Sequence, residues 1–317
     1  MSAAFRFRPD RGFRRPGRGV AAATPGPQAA APGSALFRPA VPIAHAPLPS
    51  DTLSVASYNV HKCVGLDRRR DPGRTARVIA ELDADIVALQ EADRRFGDRA
   101  GLLDLTALQE ASGLTPVPFA RQRAAHGWHG NLLLTRNAEI EAVRPLALPG
   151  LEPRGALVVD MRHRGRPLRV IAAHLGLLRA SRLLQARALA AALEEGDDGR
   201  STLLMGDLNE WRLSRRSSLA PLATRKAAHM VVPSFPAQFP VLALDRILAS
   251  PCAEVLRVSR HDSPLARIAS DHLPVKAWLR LPDPDGKGDD APDGAPDGAP
   301  DGAPDTEPGP GPAAAGP

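Results

Sequence analysis

The hydrophobic and polar positions of the chain follow two patterns between residues 52 and 281. Short apolar runs predict strands, whereas apolar residues spaced three or four apart predict helices. The predicted strands are Thr52–Val60, Asp85–Ala92, Gly130–Arg136, Arg154–Arg164, Leu168–Leu175, Thr202–Asn209, Leu242–Ala249, Val255–Arg260 and Leu273–Leu281. The predicted helices are Asp71–Asp83, Leu102–Ser112 and Arg179–Glu195. Strands outnumber helices, which favours an α/β fold of two packed sheets with helices outside.

Two terminal segments lack any such pattern. Residues 1–50 are rich in Pro, Ala, Gly and Arg, and residues 282–317 repeat Ala-Pro-Asp-Gly. Neither segment has enough apolar residues to offset the entropy lost on ordering, so both are predicted to be disordered tails. The sequence therefore predicts one folded domain at 51–281, which is long enough to bury a large core.

Charge is unevenly distributed along the chain. The first tail holds seven arginines and one acidic residue, and the last tail holds nine acidic residues and Lys287. The folded domain is therefore more basic than the total net charge of +6 indicates. A basic domain suits an anionic partner such as nucleic acid, phospholipid or another phosphoester. Only four of the 41 basic residues are lysine, however, and an arginine-rich genome explains the excess equally well.

Cysteine usage and hydropathy bear on the compartment. The chain has two cysteines, Cys63 and Cys252, which argues against a disulfide framework and a zinc cluster. No apolar run approaches a membrane span, and no apolar signal segment follows Arg14 and Arg15. We expect a cytoplasmic monomer without a stable protein partner. Contact of the Arg-rich tail with a membrane surface stays open as an alternative.

Polar side chains recur where predicted strands end. These residues are Asn59, Gln90, Glu91, His174, Asp207, Asn209, Asp271 and His272. Taken singly, each is more often a turn, cap or hydrogen-bonded core residue than a catalyst. Several such ends in one domain, converging on one rim of a sandwich, predict a functional site.

These residue types suit phosphoester hydrolysis. That reaction needs a hard cation for the phosphate oxygens, and Glu91 with Asn59 offers oxygen ligands of the kind Mg²⁺ prefers. It needs a group that positions or deprotonates water, which Asp207 can supply. It also needs donors to the equatorial oxygens, for which His174 and His272 are candidates.

Four segments, in this order and at these separations, resemble the endonuclease/exonuclease/phosphatase superfamily. They are Asn59, Gln90-Glu91, Gly206-Asp207-Leu208-Asn209 and Ser270-Asp271-His272. The resemblance spans about residues 52–281 and implies a four-layer α/β/β/α sandwich of the DNase I-like type. It also implies that the predicted domain at 51–281 is a catalytic one.

The resemblance implies a role for each acidic and amide residue of the site. It implies Mg²⁺ (or Mn²⁺) held mainly by Glu91, with help from Asn59 and Asp271. Asp207 then positions or activates water, and Asn209 stabilises the charge that develops on the phosphate. The reaction implied is hydrolysis of a phosphoester, most simply a phosphodiester, by metal-activated water.

The remaining implied roles concern phosphate binding. His272 binds the phosphate and pairs with Asp245, and His174 makes a second phosphate contact. Arg154 resembles a phosphate-facing arginine, although a surface charge is the alternative. Asn131 occupies a habitual family position as a substrate contact, and a structural turn residue is the alternative.

The substrate is less defined than the reaction. Met205 stands where inositol-phosphatase members carry tryptophan, and aromatic residues make up only 4% of the chain, so that no stacking surface for DNA is evident in the sequence. The segment from Asn59 to Gly65 looks more like a bacterial subgroup of metal-dependent hydrolases, some of them linked to phospholipid metabolism. His61, Lys62 and Trp211 either shape specificity or pack beneath the site.

Three hypotheses follow for the function. The first is a phosphodiesterase acting on a phospholipid or small phosphoester, and the second is a DNA endonuclease or exonuclease. The third is a non-catalytic module that binds a phosphorylated ligand, which is the weakest because every expected catalytic residue is present.

Overall fold

The computed structural model describes residues 38–39, 47–94, 97–119, 124–194, 199–224 and 230–282. The strands are β1 (Arg38–Pro39), β2 (Leu53–Asn59), β3 (Ile86–Gln90), β4 (Thr115–Pro116), β5 (Leu132–Thr135), β6 (Ala138–Leu148), β7 (Arg154–His163), β8 (Arg166–His174), β9 (Ser201–Asp207), β10 (Met230–Val231), β11 (Asp245–Ala249), β12 (Glu254–Arg260) and β13 (Val275–Arg280). The α-helices are α1 (Pro72–Glu81), α2 (Leu105–Ser112), α3 (Arg179–Glu194) and α4 (Ala266–Ala269). Two 3₁₀ turns span His61–Cys63 and Ala220–Thr224.

Most of the strands form two mixed sheets. One has six strands in the order β12-β13-β2-β3-β5-β4, and the other has five in the order β11-β9-β8-β7-β6. The pairs β2–β3 and β8–β9 are parallel, and the other pairs within these two sheets are antiparallel. Strands β1 and β10 form a separate parallel pair.

Side chains alternate between two faces along each strand, and this alternation produces four layers. On β2, Leu53 and Val55 belong to the core between the sheets, whereas Ala56 and Tyr58 pack with residues of α1 such as Val78. The outer face of the five-stranded sheet packs against α3 in a third cluster. The predicted four-layer α/β/β/α sandwich is confirmed.

The same alternation places polar strand ends inside the sandwich. Asn59 lies an even number of residues after Leu53 and Val55 on β2. Its side chain is therefore on the same face as theirs, which points at the other sheet. Asp207 likewise follows Leu203 and Met205 on β9. Strands β2, β3, β8 and β9 end at the rim where the antiparallel β11 begins, so their polar ends are brought together.

Helix starts follow capping chemistry. Helix α1 begins where predicted, with Pro72 at its first position and the carboxylate of Asp71 accepting from the backbone nitrogen of Arg74 at 2.8 Å. Helix α2 begins at Leu105, not at the predicted Leu102, because the carboxylate of Asp104 caps its first backbone amides.

Strand β6 is not among the predicted strands. It is the edge of the five-stranded sheet, and its side chains are mostly half-buried or exposed. Pro145, which lacks a backbone donor, is tolerated there because an edge strand has one unpaired side. An edge strand with little buried surface lacks the apolar run that marks the inner strands.

The two predicted tails lie largely outside the described residues. Strand β1, which pairs with β10, falls within the segment 1–50, and residues 283–317 are not described. The assignment of both tails as disordered therefore stays a prediction. No helix in the described ranges has the length and apolar character needed to cross a membrane.

Candidate active site

Asp207 lies at the centre of the rim where the two sheets meet. Its Oδ2 atom accepts a hydrogen bond from Asn59 Nδ2 at 2.9 Å. The Nε2 atoms of His174 and His272 lie 3.5 and 3.7 Å from the same oxygen. Asn59 and His272 lie on the side of the six-stranded sheet, whereas His174 belongs to the five-stranded sheet. Nitrogen donors from both sheets therefore surround one buried carboxylate.

Asn209 closes the turn that follows β9. Its backbone nitrogen donates to Asp207 Oδ1 at 3.0 Å, and its side-chain Nδ2 donates to the carbonyl of Leu175 at 2.9 Å. Asn209 has a φ of 51°, a left-handed conformation that asparagine adopts more readily than most residues. These contacts fix Asn209 in the wall of the same pocket as Asp207.

His272 is held as a cation. Its Nδ1 atom donates to Asp245 Oδ2 at 2.7 Å, and Ser234 Oγ donates to the same oxygen at 2.6 Å. Burial alone would lower the pKa of His272, but the charges of Asp245 and Asp207 and the hydrogen bond to Asp245 raise it to about 10. His272 therefore presents a protonated Nε2 toward Asp207, while Asp245 is buried behind it.

His174 is held neutral. Arg154 Nη1 lies 3.1 Å from His174 Nδ1, so the guanidinium donates to that nitrogen and the ring proton is on Nε2. Burial lowers the pKa of His174 to about 3; the charge of Asp207 opposes this effect and that of Arg154 adds to it. Arg154 is itself anchored by Glu152 Oε2 at 3.2 Å. The site thus offers one neutral and one cationic histidine donor.

Glu91, Asn59 and Asp271 line the same pocket as Asp207. The Asn59 amide is oriented by two contacts: its nitrogen donates to Asp207, and its oxygen accepts from the backbone nitrogen of His61 at 3.0 Å. The Glu91 carboxylate contacts the ammonium of Lys62, so a cation already balances its charge. Two carboxylates and an amide oxygen are the donor types that Mg²⁺ or Mn²⁺ prefers, so the chemistry of this set fits such an ion, which would take the place of the Lys62 ammonium at Glu91.

A second group of metal-type ligands lies around His272. Asp207, Asp245 and His272 bring their ligand atoms within 4.8 Å of one another. The charges of the two carboxylates raise the pKa of His272 against the effect of burial, so the ring pairs with both of them. Hydrogen bonding and charge pairing among these three residues account for the cluster.

Most of the residues predicted from the sequence are brought together in one pocket. Its walls include eight of them: Asn59, Glu91, Arg154, His174, Asp207, Asn209, Asp271 and His272. Asp245 touches His272 from behind. Asn131 lies elsewhere: it is fully buried, and its Nδ2 donates to the carbonyls of Trp128 and Gly155 at 3.0 and 2.9 Å. Its predicted substrate contact stays a prediction that these structural contacts do not support.

Some supporting residues have no signal in the sequence. Ser234 reaches Asp245 from a loop eleven positions earlier in the chain, and the Phe235 ring stacks 4.8 Å from that of His272. Glu152 holds Arg154 and also accepts from the backbone nitrogen of Leu177 at 2.6 Å. Loop geometry, which no spacing rule encodes, brings these groups to the site.

Comparison with known proteins identifies relatives of the chain. The family model described as Endonuclease/Exonuclease/phosphatase family matches residues 56–272. The uncharacterized protein YbhP of Escherichia coli K12 is 35% identical over 253 residues, covering 73% of this chain and 97% of the relative.

Solved structures share the fold. A mannosyl-6-phosphatase from Bacteroides thetaiotaomicron has a TM-score of 0.57 at 20% identity, over 72% of this chain and 100% of its own. TDP2 of D. rerio, complexed with a single-strand DNA product, has a TM-score of 0.54 at 16% identity, over 73% of this chain and 100% of its own. Both support the fold alone, whereas the family match extends over the whole rim of the site. The chain belongs to the endonuclease/exonuclease/phosphatase family, whose members are hydrolases that act on phosphoesters.

Proposed function

We propose that the chain hydrolyses a phosphodiester with the help of Mg²⁺ or Mn²⁺, and that the substrate is a phospholipid or another small amphiphilic phosphoester. The observation that carries the proposal is the arrangement around Asp207, where a buried carboxylate faces one neutral and one cationic histidine. A carboxylate accepts a proton from water, and donors of both kinds suit a phosphate that gains charge.

Each residue has a separate task in this proposal. Asp207 orients the attacking water and takes its proton as the new oxygen–phosphorus bond forms and the ester bond breaks. His272 and His174 donate from Nε2 to the phosphate oxygens, and Arg154 keeps His174 in the required tautomer. Buried donors fixed in advance stabilise the transition state without having to reorganise.

Family members generally use divalent metals, and Glu91, Asn59 and Asp271 are the residues that would hold one. The ion supplies Lewis-acid stabilisation of charge on the phosphate. Glu91 follows β3 and Asp271 precedes β13, and both carboxylates line the pocket of Asp207, which supports them as ligands of such an ion.

An apolar rim supports an amphiphilic substrate. Leu177 and Trp211 line the pocket and are 68% and 47% exposed. Phe239 and Val241 are 78% and 71% exposed and lie on the loop between Phe235 and Leu242, two residues that also line the pocket. Exposed apolar side chains grouped around a charged pocket suit a ligand with a charged head and an apolar body. The rim also supports action at a membrane surface by a peripheral protein.

The proposal is tested with the full-length protein and three candidate substrates. Each is assayed with Mg²⁺ and with excess chelator. They are bis(p-nitrophenyl) phosphate, phospholipid vesicles and supercoiled plasmid, and the His272→Ala variant serves as the catalytic control. Chelator-sensitive hydrolysis of the diester and the vesicles, absent in the variant, is expected. Nicking of plasmid by the wild type alone would instead establish the nuclease, and binding of a phosphoester without turnover of any substrate would establish the non-catalytic module.

A further inference from the structure

A second cleft adjoins the catalytic pocket. The two share a wall formed by Lys62, Glu91, Arg154 and His174. Beyond this wall, the second cleft is lined by Asp93, Arg94, Arg99, His129, Gly130 and Pro153. We call it the Arg99 cleft. None of the exposed apolar side chains of the rim lines it, so its chemistry differs from that of the catalytic pocket.

Arg99 is oriented by an uncharged partner. Its Nη1 atom lies 2.8 Å from His129 Nδ1. Burial lowers the pKa of His129, and the nearby charges of Arg99 and Arg154 lower it further, so the ring is neutral and accepts from the guanidinium. By contrast, Arg169 is paired with the carboxylate of Asp160. A neutral acceptor fixes the direction of Arg99 and leaves its positive charge unbalanced.

The remaining charges of the cleft do not neutralise it. The cationic groups are those of Lys62, Arg94, Arg99 and Arg154, and the acidic ones are those of Glu91 and Asp93. Glu91 is occupied by Lys62, and Asp93 is 4% exposed and accepts from the backbone nitrogen of His126 at 2.9 Å. Arg94 is exposed, and within the described ranges neither it nor Arg99 forms an ion pair.

We propose that the Arg99 cleft binds a second phosphate group of the substrate, located on the polar side of the phosphodiester that is cleaved. This inference rests on the proposed function and narrows it to substrates with two phosphates. The cleaved phosphate contacts the shared wall, and the apolar part of the substrate lies toward Leu177 and Trp211. The second phosphate then lies against Arg99 and Arg94, whose guanidinium groups bind phosphate oxygens through charge-assisted hydrogen bonds.

Two matched substrate pairs test the proposal with the full-length protein in Mg²⁺. One pair is the p-nitrophenyl ester of thymidine 5′-phosphate with and without a 3′-phosphate. The other is phosphatidylinositol and its 4-phosphate in mixed micelles. The second phosphate is expected to lower KM by about tenfold or more in at least one pair, the size of one charge-assisted contact. The pair that shows the effect identifies a nucleotide or a lipid headgroup as its source.

Variants assign the effect to the cleft. Arg99→Met and Arg94→Met are each expected to reduce the KM advantage of the doubly phosphorylated member of each pair, whereas Arg144→Met is expected to change neither this advantage nor kcat. Arg144→Met serves as the matched control, because Arg144 is an exposed arginine of β6 that lines neither cleft. Equal KM values within both pairs, or an advantage that survives both cleft variants, would overturn the proposal.

A binding measurement separates this inference from the proposed function. Isothermal titration calorimetry of the Asp207→Asn variant with the same four compounds measures their affinity without turnover. If no compound is hydrolysed by the wild type, the proposed function fails. Tighter binding of the doubly phosphorylated member, lost when Arg99→Met is added, would still support the cleft, whereas equal binding of both members would overturn it.

Discussion

The two carboxylate oxygens of Asp207 make different contacts. Its Oδ2 faces Asn59, His174 and His272, while its Oδ1 accepts from the backbone of Asn209. An asparagine has nearly the same shape but accepts no proton at neutral pH. The charge of the carboxylate, more than its volume, is therefore the property to test.

The Asp207→Asn variant is expected to lose catalysis and keep its fold. Removal of a general base costs about a hundredfold to ten-thousandfold in rate, so kcat on a soluble diester is expected to fall within that range. Circular dichroism and thermal unfolding serve as the structural check. Turnover at the wild-type rate would show that Asp207 is not the base.

The neutral state of His174 makes stability depend on pH. Its pKa, lowered to about 3 by burial, lies below the ordinary value of 6.5 in the unfolded chain. The unfolded state therefore binds the proton first, and stability is lost as pH falls below 6.5. The loss approaches about 1.4 kcal/mol per pH unit for this group.

The matching experiment compares the wild type with His174→Asn by urea unfolding at pH 6.5 and pH 5. The variant is expected to be less stable at pH 6.5 but to lose less stability on acidification. This window lies above the range in which the carboxylates titrate. Equal losses in the two proteins would contradict a buried neutral His174.

At the scale of single residues, the motif residues could be predicted from the sequence, but the residues that hold them in place could not. Asp207 and His272 belong to short segments that together resemble the family pattern, so their meeting in one pocket could be predicted from the sequence. Ser234 and Glu152 act through loops whose conformation depends on the finished fold. Asn131 is a polar residue within a predicted strand whose side chain donates to buried backbone carbonyls, a contact that the sequence alone does not reveal.

At the scale of elements, the parallel pair β8–β9 sets the site. Its register places His174 opposite Asp207, with Ala173 opposite Gly206 one step before. Gly206 has a φ of 156°, and a Cβ atom there would lie 1.8 Å from the carbonyl oxygen of Ala173. The close approach of the two strands therefore requires a glycine immediately before Asp207.

The Gly206→Ala variant is expected to lower both stability and activity. Forcing a methyl group into a packed contact costs roughly 1–3 kcal/mol, and relief requires the two strands to move apart beside Asp207. Denaturant unfolding and kcat are the two measurements. Gly165→Ala is a matched control, because Gly165 also has a positive φ but a methyl group added there would have no neighbouring atom within 4 Å. A smaller effect at Gly206 than at Gly165 would contradict the packing interpretation.

Elements with a buried face were easier to predict than those at an edge. The inner strands β2, β3 and β9 carry apolar runs because both of their faces are covered, and the sequence marks them. Strand β6 has one covered edge and little buried surface, so its pattern is weak. The start of α2 depends on which polar residue caps it, a choice between neighbouring positions that periodicity does not resolve.

At the scale of the whole molecule, two clefts of different character meet at one shared wall. The pocket around Asp207 opens among apolar side chains, whereas the Arg99 cleft is cationic. The two sheets and outer helices were expected from element order together with the family resemblance. The division of the surface into an apolar pocket and a cationic cleft was not expected from the sequence. It depends on loops between strands, where sequence spacing carries little geometric information.

Replacing both Phe239 and Val241 with serine tests the apolar rim. Both residues project from a loop and line neither cleft, so hydrolysis of a soluble diester is expected to stay unchanged. Hydrolysis of vesicle phospholipid is expected to fall by about tenfold or more, because two apolar side chains are lost and the loss of one from a membrane contact already has about that effect. Leu184→Ser on α3 is the matched control, because Leu184 is 46% exposed and lines neither cleft. An equal decrease with both variants would contradict a role for the rim.

The backbone conformation at the site has a consequence for how the protein can change. His61, Lys62, Glu91 and Asn209 line the pocket and all have positive φ, a conformation that costs most non-glycine residues on the order of 1–2 kcal/mol each. Selection for thermostability alone would favour glycine at such positions. At Glu91 and Asn209 that choice would remove a predicted metal ligand and a pocket residue. If Glu91 and Asn209 act as proposed, the most stable sequence for this fold and the most active one therefore differ at these two positions of the pocket.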